Sequence, residues 1–210
     1  MTGKFITFEG IEGAGKSTAL ELTHQYLKQH NIEVVVTREP GGTKISEAIR
    51  KLLLDHNDET MAADAELLLF FASRAQHIAQ IIKPALQAGK IVLCDRFTDA
   101  SFAYQCGGRG IAEERVAVLE QWAHQGLQPD VTILMDVPVE IGMQRVKQRS
   151  EPDRIEAEQC QFFEKVRAQY LKRAQQYPER FQVVDASVSL DEIKQVLQQI
   201  CSAVIQELKK

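Results

Sequence analysis

Cysteine is scarce in this chain, and what there is lies scattered. Cys94, Cys106, Cys160 and Cys201 form no CxxC pair or other ligand spacing, and Cys94 sits in an apolar run, which favours inert thiols over a metal centre. The five histidines make no HExxH pair and no GxSxG elbow occurs, so metal-assisted hydrolysis and serine acyl transfer lose their sequence basis. No run approaches the roughly 20 apolar residues that cross a bilayer, so no membrane span is expected. Excess positive charge is missing too. A net charge of -4 argues against a general nucleic-acid binder and makes any phosphate binding a local matter. MTGKFITFEG carries one lysine before a short β-like run and no small-residue cleavage site; it does not read as a secretory signal, and a cytoplasmic protein is expected.

What is present is an alternation of short apolar runs with longer helical patterns. FITFE at 5–9, VVVT at 34–37, IVLC at 91–94, VTILMDV at 131–137 and FQVVD at 181–185 suit strands buried on both faces. Residues 16–30, 44–54, 63–88, 112–125, 139–149, 158–176 and 189–208 carry apolar residues at helical spacing. Such alternation predicts right-handed crossovers and a parallel sheet covered by helices on both faces, an α/β fold with ligands at the carboxyl ends of the strands. The 210 residues suffice for one core, and 1–210 reads as a single domain.

The clusters rich in chemistry follow the first three strands. GIEGAGKST at 10–18 satisfies GxxxxGK[ST] through Gly10, Gly15, Lys16 and Ser17, after a strand and before a helix. Glycines let successive N–H groups turn toward phosphate oxygens, the helix N-terminus adds positive potential, Lys16 reaches the β- and γ-phosphates, and Ser17 offers a hydroxyl to Mg2+. The whole turn, Gly10, Ile11, Glu12, Gly13, Ala14, Gly15, Lys16, Ser17 and Thr18, is the expected ATP-binding element. No aspartate has glycine three residues later and no [NT]KxD occurs, which removes a GTP switch and favours a small phosphotransfer enzyme.

On the acceptor side, Phe70 and Arg74 are four apart and share a helix face, an arrangement that can stack a flat ring and bond its edge. Alone, the pair is more simply read as a core aromatic and a solvated helix charge. DRF at 95–97 puts Asp95, a candidate for Mg2+ through water, beside Arg96, a candidate for an acceptor phosphate. SFAYQCGGRG at 101–110 offers Ser101, Tyr104 and Gln105 as polar contacts near a glycine-rich bend. KQRSEPDRIE at 147–156 reads either as a solvated loop or as part of a lid, at about 145–157, whose arginines meet the charge that develops during phosphoryl transfer.

In this order FEGIEGAGKST, TREPGGT, FFASR, DRF with AYQ, and GGRG resemble the thymidylate kinase family, from residue 4 to about residue 185. The resemblance implies a P-loop fold with a five-stranded parallel sheet, transfer from ATP to dTMP with Mg2+, and a homodimer. It further implies that Phe70 stacks on thymine, Arg74 bonds its edge with Ser101 and Gln105 nearby, and Arg50 and Arg96 reach the monophosphate. Arg38, Glu39 and Pro40 would shape that side of the pocket, Tyr104 would stand beside the deoxyribose, and Glu12 would accept from the 3′-hydroxyl. Some members carry their transition-state arginine in the phosphate loop. Here Gly13 holds that position, so Arg149 and Arg154 of the lid become the candidates with Arg145 behind them. Ala100 and Phe97 depart from common family residues beside the deoxyribose pocket. Two rival readings remain: a deoxynucleoside kinase using Glu9 or Glu12 as a base, and a nucleotide-sensing module without chemistry.

Overall fold

Runs of β-branched and aromatic residues become strands here because a sheet covered on both faces buries every side chain of its central members. In the computed structural model, which describes residues 3–55, 58–148, 153–156 and 158–208, the order is β1 (Phe5–Glu9), α1 (Lys16–Gln29), β2 (Val34–Arg38), α2 (Lys44–Leu54), α3 (Ala63–His77), α4 (Lys83–Gln87), β3 (Ile91–Asp95), α5 (Thr98–Ser101), α6 (Glu113–His124), β4 (Val131–Asp136), α7 (Val139–Lys147), α8 (Cys160–Gln176), β5 (Phe181–Asp185) and α9 (Leu190–Leu208). The strands form one sheet in the order β2-β3-β1-β4-β5, with every pairing parallel. All of β1 is buried, whereas the edge strands β2 and β5 expose part of their length.

From β1 the chain first winds to the side of β3 and β2 and then to that of β4 and β5, so ligand space opens at the carboxyl end of β1. Register brings the three motif-bearing strand ends together: Phe8 lies beside Asp95, Arg38 beside Asp95, and Glu9 beside Leu134. Helices seal the faces by the same spacing that marked them in sequence. Ala19, Leu20, Thr23 and Leu27 of α1 face inward and meet α9, whose Ile193, Leu197, Cys201 and Val204 are buried. Thr43 caps α2 by accepting a hydrogen bond from Ser46 N over 3.1 Å.

Two stretches differ from expectation. The pattern over 63–88 is not one regular α-helix: α3 passes into a π turn at Ile78–Ile82 before α4. Pro84 has no N–H to return to the preceding turn and its ring crowds that turn, and the wide π turn lies just ahead of it. The glycine-rich bend expected within 101–110 is instead a continuation of α5 as π turns over Phe102–Gly108. Phe102 and Cys106 pack with Leu67 and Phe71, and a side chain at Gly108 would collide with the Phe162 ring, so this glycine serves the close approach of α8. Among the described residues no helix is long and apolar enough to cross a membrane.

Candidate active site

The phosphate loop connects β1 to α1, with Gly15 in left-handed conformation at the helix start. The loop already holds its own cation. Lys16 donates from Nζ to the carbonyls of Gly10 (3.1 Å) and Ile11 (2.9 Å). Burial, with the charge of Arg96 added, brings the Lys16 pKa down to about 8. Arg50 is pulled below its ordinary value for the same reasons, burial first and then the charge of Arg38. Buried cations short of counter-charge are what an anion site looks like before its anion arrives. Ile11 and Ala14 pack into the core, while the side chains of Ser17 and Thr18 are exposed. Gly13 has φ +71°, and a side-chain carbon there would strike the Gly142 carbonyl of α7. No arginine fits at this position, so a cation for the transferring phosphoryl has to come from elsewhere.

At the end of β3, Arg96 adopts a left-handed backbone conformation (φ 69°) and turns back onto the loop. It donates to Gly10 O (3.0 Å), to Tyr170 OH (3.2 Å) and to Glu12 Oε1 (2.7 Å). Tyr104 OH donates to the other oxygen of Glu12 over 2.6 Å, and its ring lies under the Arg96 guanidinium. Glu12 therefore joins the loop to both segments that follow β3. Its neighbour Glu9 is fully buried, accepts from Phe97 N and Tyr170 OH at 2.7 Å each, and is raised to about 8 by burial and then by Asp99. Asp95 Oδ1 is buried with no hydrogen-bond partner among the described residues, and it shares a cavity with Ser17. An orphaned carboxylate oxygen beside an exposed hydroxyl fits a hard divalent cation.

The same cavity runs from Lys16, Ser17 and Arg96 to Phe70, Arg74, Ser101 and Gln105, and includes Glu12, Arg50 and Tyr104. Phe70 is partly buried, leaving a ring face for a ligand. Arg74 is no solvated helix charge: it is 1% exposed and donates to Glu39 Oε2 (2.7 Å), Ser101 Oγ (3.0 Å) and Phe97 O (3.1 Å). Gln105 donates to Glu66 Oε1 over 3.0 Å. Arg50 donates to Pro40 O over 2.9 Å, which ties α2 to the REPGGT segment. Arg38 stands apart. Its guanidinium is exposed, pairs with Glu47 at 3.0 Å and does not line the cavity.

The lid arginines are held in different places. Arg154 does not face the phosphate loop: it donates to Leu53 O (2.8 Å) and to Glu66 Oε2 (2.6 Å), and does not line the cavity. Burial pushes the Glu66 carboxyl up, but Gln105, Arg109 and Arg154 together hold it below the usual range. Its three partners make Glu66 the natural seat for a guanidinium. Arg145 donates to Gly13 O (3.3 Å) and Ala186 O (3.2 Å), and lines a second cavity behind the loop with Thr18, Met135 and Val188. Arg149 lies outside the described residues.

Sequence reading missed Glu66, His77 and Tyr170, each a polar residue of a long helix whose partner is set only by packing. It also missed the cavity around Arg145, whose other wall comes from the chain after β5. A parallel sheet of this order, a phosphate loop on its central strand, and an adjoining cavity lined by aromatic rings and by Arg50, Arg74 and Arg96 define a P-loop nucleotide-dependent phosphotransferase. A family model described as thymidylate kinase matches residues 8–199. The chain is 51% identical over 209 residues to a thymidylate kinase of Pseudomonas putida (strain GB-1), covering all of both chains. It is 55% identical over 202 residues to one of Vesicomyosocius okutanii, covering 96% of this chain and 98% of the other. A crystal structure of thymidylate kinase from Ehrlichia chaffeensis superposes with a TM-score of 0.76 at 33% identity, covering 97% of this chain and 99% of that one. The chain belongs to the thymidylate kinase family.

Proposed function

We propose that this chain transfers the γ-phosphate of ATP to dTMP, giving ADP and dTDP. The observation that carries the reading is the single cavity that begins at Lys16 and Ser17 of the phosphate loop and ends at Phe70, Arg74 and Gln105. In this reading Lys16 leaves the Gly10 and Ile11 carbonyls to meet the donor phosphates, which raise its depressed pKa. The donor base would occupy the cavity of Arg145, Ala186 and Val188 on the far side of the loop. Phe70 stacks on the acceptor base, Arg74 donates to its edge, and Arg50 and Arg96 grip its phosphate. Tyr104 and Glu12 border the sugar, Ser101 and Gln105 line the base end, and Arg38 acts indirectly by holding Glu47, which also accepts from Gly42 N.

Mg2+ is the proposed metal, with Ser17 and Asp95 the residues to hold it; bound there it would neutralise charge on the donor phosphates. The acceptor is already a phosphate dianion, so no general base is required and the protein contributes positioning and positive charge. That favours dTMP over thymidine as acceptor. A nucleoside kinase would need a free carboxylate beside the hydroxyl, and Glu9 is buried with both oxygens occupied. The rival of a binding module without chemistry is disfavoured by the intact set of Lys16, Ser17, Asp95 and Arg96.

A second copy of the chain is the proposed partner. Helix α3 packs between α2 and α6, and these helices expose Ile45, Leu68, Val118 and Trp122. A face of this kind is covered most simply by its own symmetry mate. We further take 1–210 as one working unit with its lid at about 145–157. The reading is tested by coupling ADP formation to dTMP addition with the purified protein: steady dTMP-dependent turnover is expected, and its absence would remove the proposal.

A further inference from the structure

His77 does not line the acceptor cavity, yet it stands at the end of a buried chain of hydrogen bonds that leads into it. Arg74 borders the acceptor cavity and donates from Nε to Glu39 Oε2 over 2.7 Å. The other oxygen of Glu39, Oε1, lies 2.9 Å from His77 Nδ1, and His77 Nε2 lies 2.6 Å from Thr37 Oγ1. Thr37, Glu39, Arg74 and His77 are all buried. The pairing rules fix the direction of the Glu39 bond: an ionised carboxylate only accepts, so Nδ1 carries a proton and donates to Glu39, while Nε2 is bonded to the Thr37 hydroxyl. Arg74 and His77 together outweigh burial and hold the Glu39 carboxyl below the usual range, which keeps it ionised.

The ring has little room to move. A side-chain carbon placed at Gly42 would lie 2.6 Å from His77 Cδ2 and 2.8 Å from Thr37 Oγ1, so backbone of the REPGGT segment roofs it closely. Both oxygens of Glu39 are thereby fixed, one by His77 and one by Arg74. The plane of the Arg74 guanidinium follows, because a carboxylate anchors a guanidinium along defined directions.

We infer that His77 is a positioning residue for the acceptor base: it orients Glu39, and through Glu39 the edge-reading guanidinium of Arg74. The inference rests on the proposed role of Arg74 toward the acceptor. A guanidinium has only donors, so held rigidly it favours a base with a carbonyl at that edge and disfavours one with an amino group there. With Glu39 loosened, the guanidinium keeps only Ser101 and the Phe97 carbonyl, is held less rigidly and discriminates less. Donor binding and phosphoryl transfer use Lys16, Arg96 and the loop, to which none of the Thr37, Glu39, Arg74 and His77 side chains is hydrogen-bonded.

The test is steady-state kinetics of His77→Leu, His77→Asn and Thr37→Val with dTMP and with dCMP, whose base carries an amino group in place of a carbonyl. For His77→Leu the dTMP KM should rise about tenfold, the scale of losing one hydrogen bond to a charged group. Its kcat and ATP KM should stay within about twofold, and its preference for dTMP over dCMP should shrink by about the same factor as the dTMP affinity. Asparagine restores a donor near Nδ1, so His77→Asn should recover most of the affinity; Thr37→Val, which removes only the partner of Nε2, should show a smaller rise. If His77→Leu fails to fold, the contrast of His77→Asn with Thr37→Val carries the same test. Equal losses for leucine and asparagine, an unchanged dTMP KM, or a fall in kcat with both KM values disturbed together would overturn the inference. Wild-type protein without dTMP-dependent turnover would instead remove the reading beneath it.

Discussion

Arg96 donates from Nη2 to Glu12 Oε1 over 2.7 Å, an ion pair that ties the end of β3 to the turn of the phosphate loop. With Tyr104 on its other oxygen, Glu12 is held at the junction of the donor and acceptor halves of the cavity. Charge-assisted bonds of this length fix geometry as well as contribute energy.

Glu12→Gln keeps an acceptor but removes the charge that holds Arg96. We expect dTMP KM to rise about tenfold, the scale of weakening charge-assisted bonds. The loss should be smaller for an acceptor lacking the 3′-hydroxyl, because the carboxylate's bond to that hydroxyl is then missing in both proteins. Measured kcat/KM for both acceptors checks this; identical losses would mean that Glu12 serves only Arg96.

Arg154 meets Glu66 rather than the phosphate loop, so a catalytic part for it would require a change of partner. Arg154→Ala should lower kcat by about a hundredfold or more while leaving dTMP affinity within about twofold, as for an arginine whose contact strengthens in the transition state. Glu66→Gln should leave kcat far less affected. If both variants lose stability alike and Arg154→Ala keeps its turnover, Arg154 is structural and the lid must act through Arg149.

Glu9 links stability to pH. Its folded pKa is about 8 against an ordinary 4.5, with burial the leading cause. Between those values the unfolded carboxyl is ionised while the folded one keeps its proton, so the folded state binds more protons and stability falls as pH rises, by at most about 1.4 kcal/mol per pH unit. This contribution is fully present below the lower value and gone above the upper. Urea unfolding of wild type and Glu9→Gln across that window should show wild type losing ground steadily, then levelling off. A constant offset between the two would contradict the assignment.

Trp122 is 76% exposed and lies one turn from Val118 on α6. If this face meets a second copy, Trp122→Lys should halve the mass seen by sedimentation at micromolar concentration. An unchanged dimer would place the interface elsewhere, and a monomeric wild type would remove it.

How much of this was legible in the sequence depends on whether the cause is local. The strands were readable because β1 and β3 are short and mostly apolar runs, FITFE and IVLCD, and the phosphate loop because Gly10, Gly15, Lys16 and Ser17 encode a backbone turn by spacing alone. The run of Gly107 and Gly108 misled, since glycine marks a bend in sequence but here admits the Phe162 ring against a π turn. Arg74 looked like a surface charge on helical spacing; its burial depends on Glu39, 35 residues away, together with Ser101 and the Phe97 carbonyl. Arg154 was read for its charge, and the carboxylate that holds it, Glu66, lies on α3, out of reach of any local pattern.

The central claim is that one cavity joins an ATP phosphate loop to a site for a thymine nucleotide. The most direct measurement is ADP formation by the purified protein with ATP and, in parallel, dTMP, thymidine, dUMP, AMP or GMP. We expect the highest kcat/KM for dTMP and little turnover of thymidine, whose hydroxyl would need a general base that Glu9, buried with both oxygens bonded, does not offer. Preference for thymidine over dTMP would contradict it.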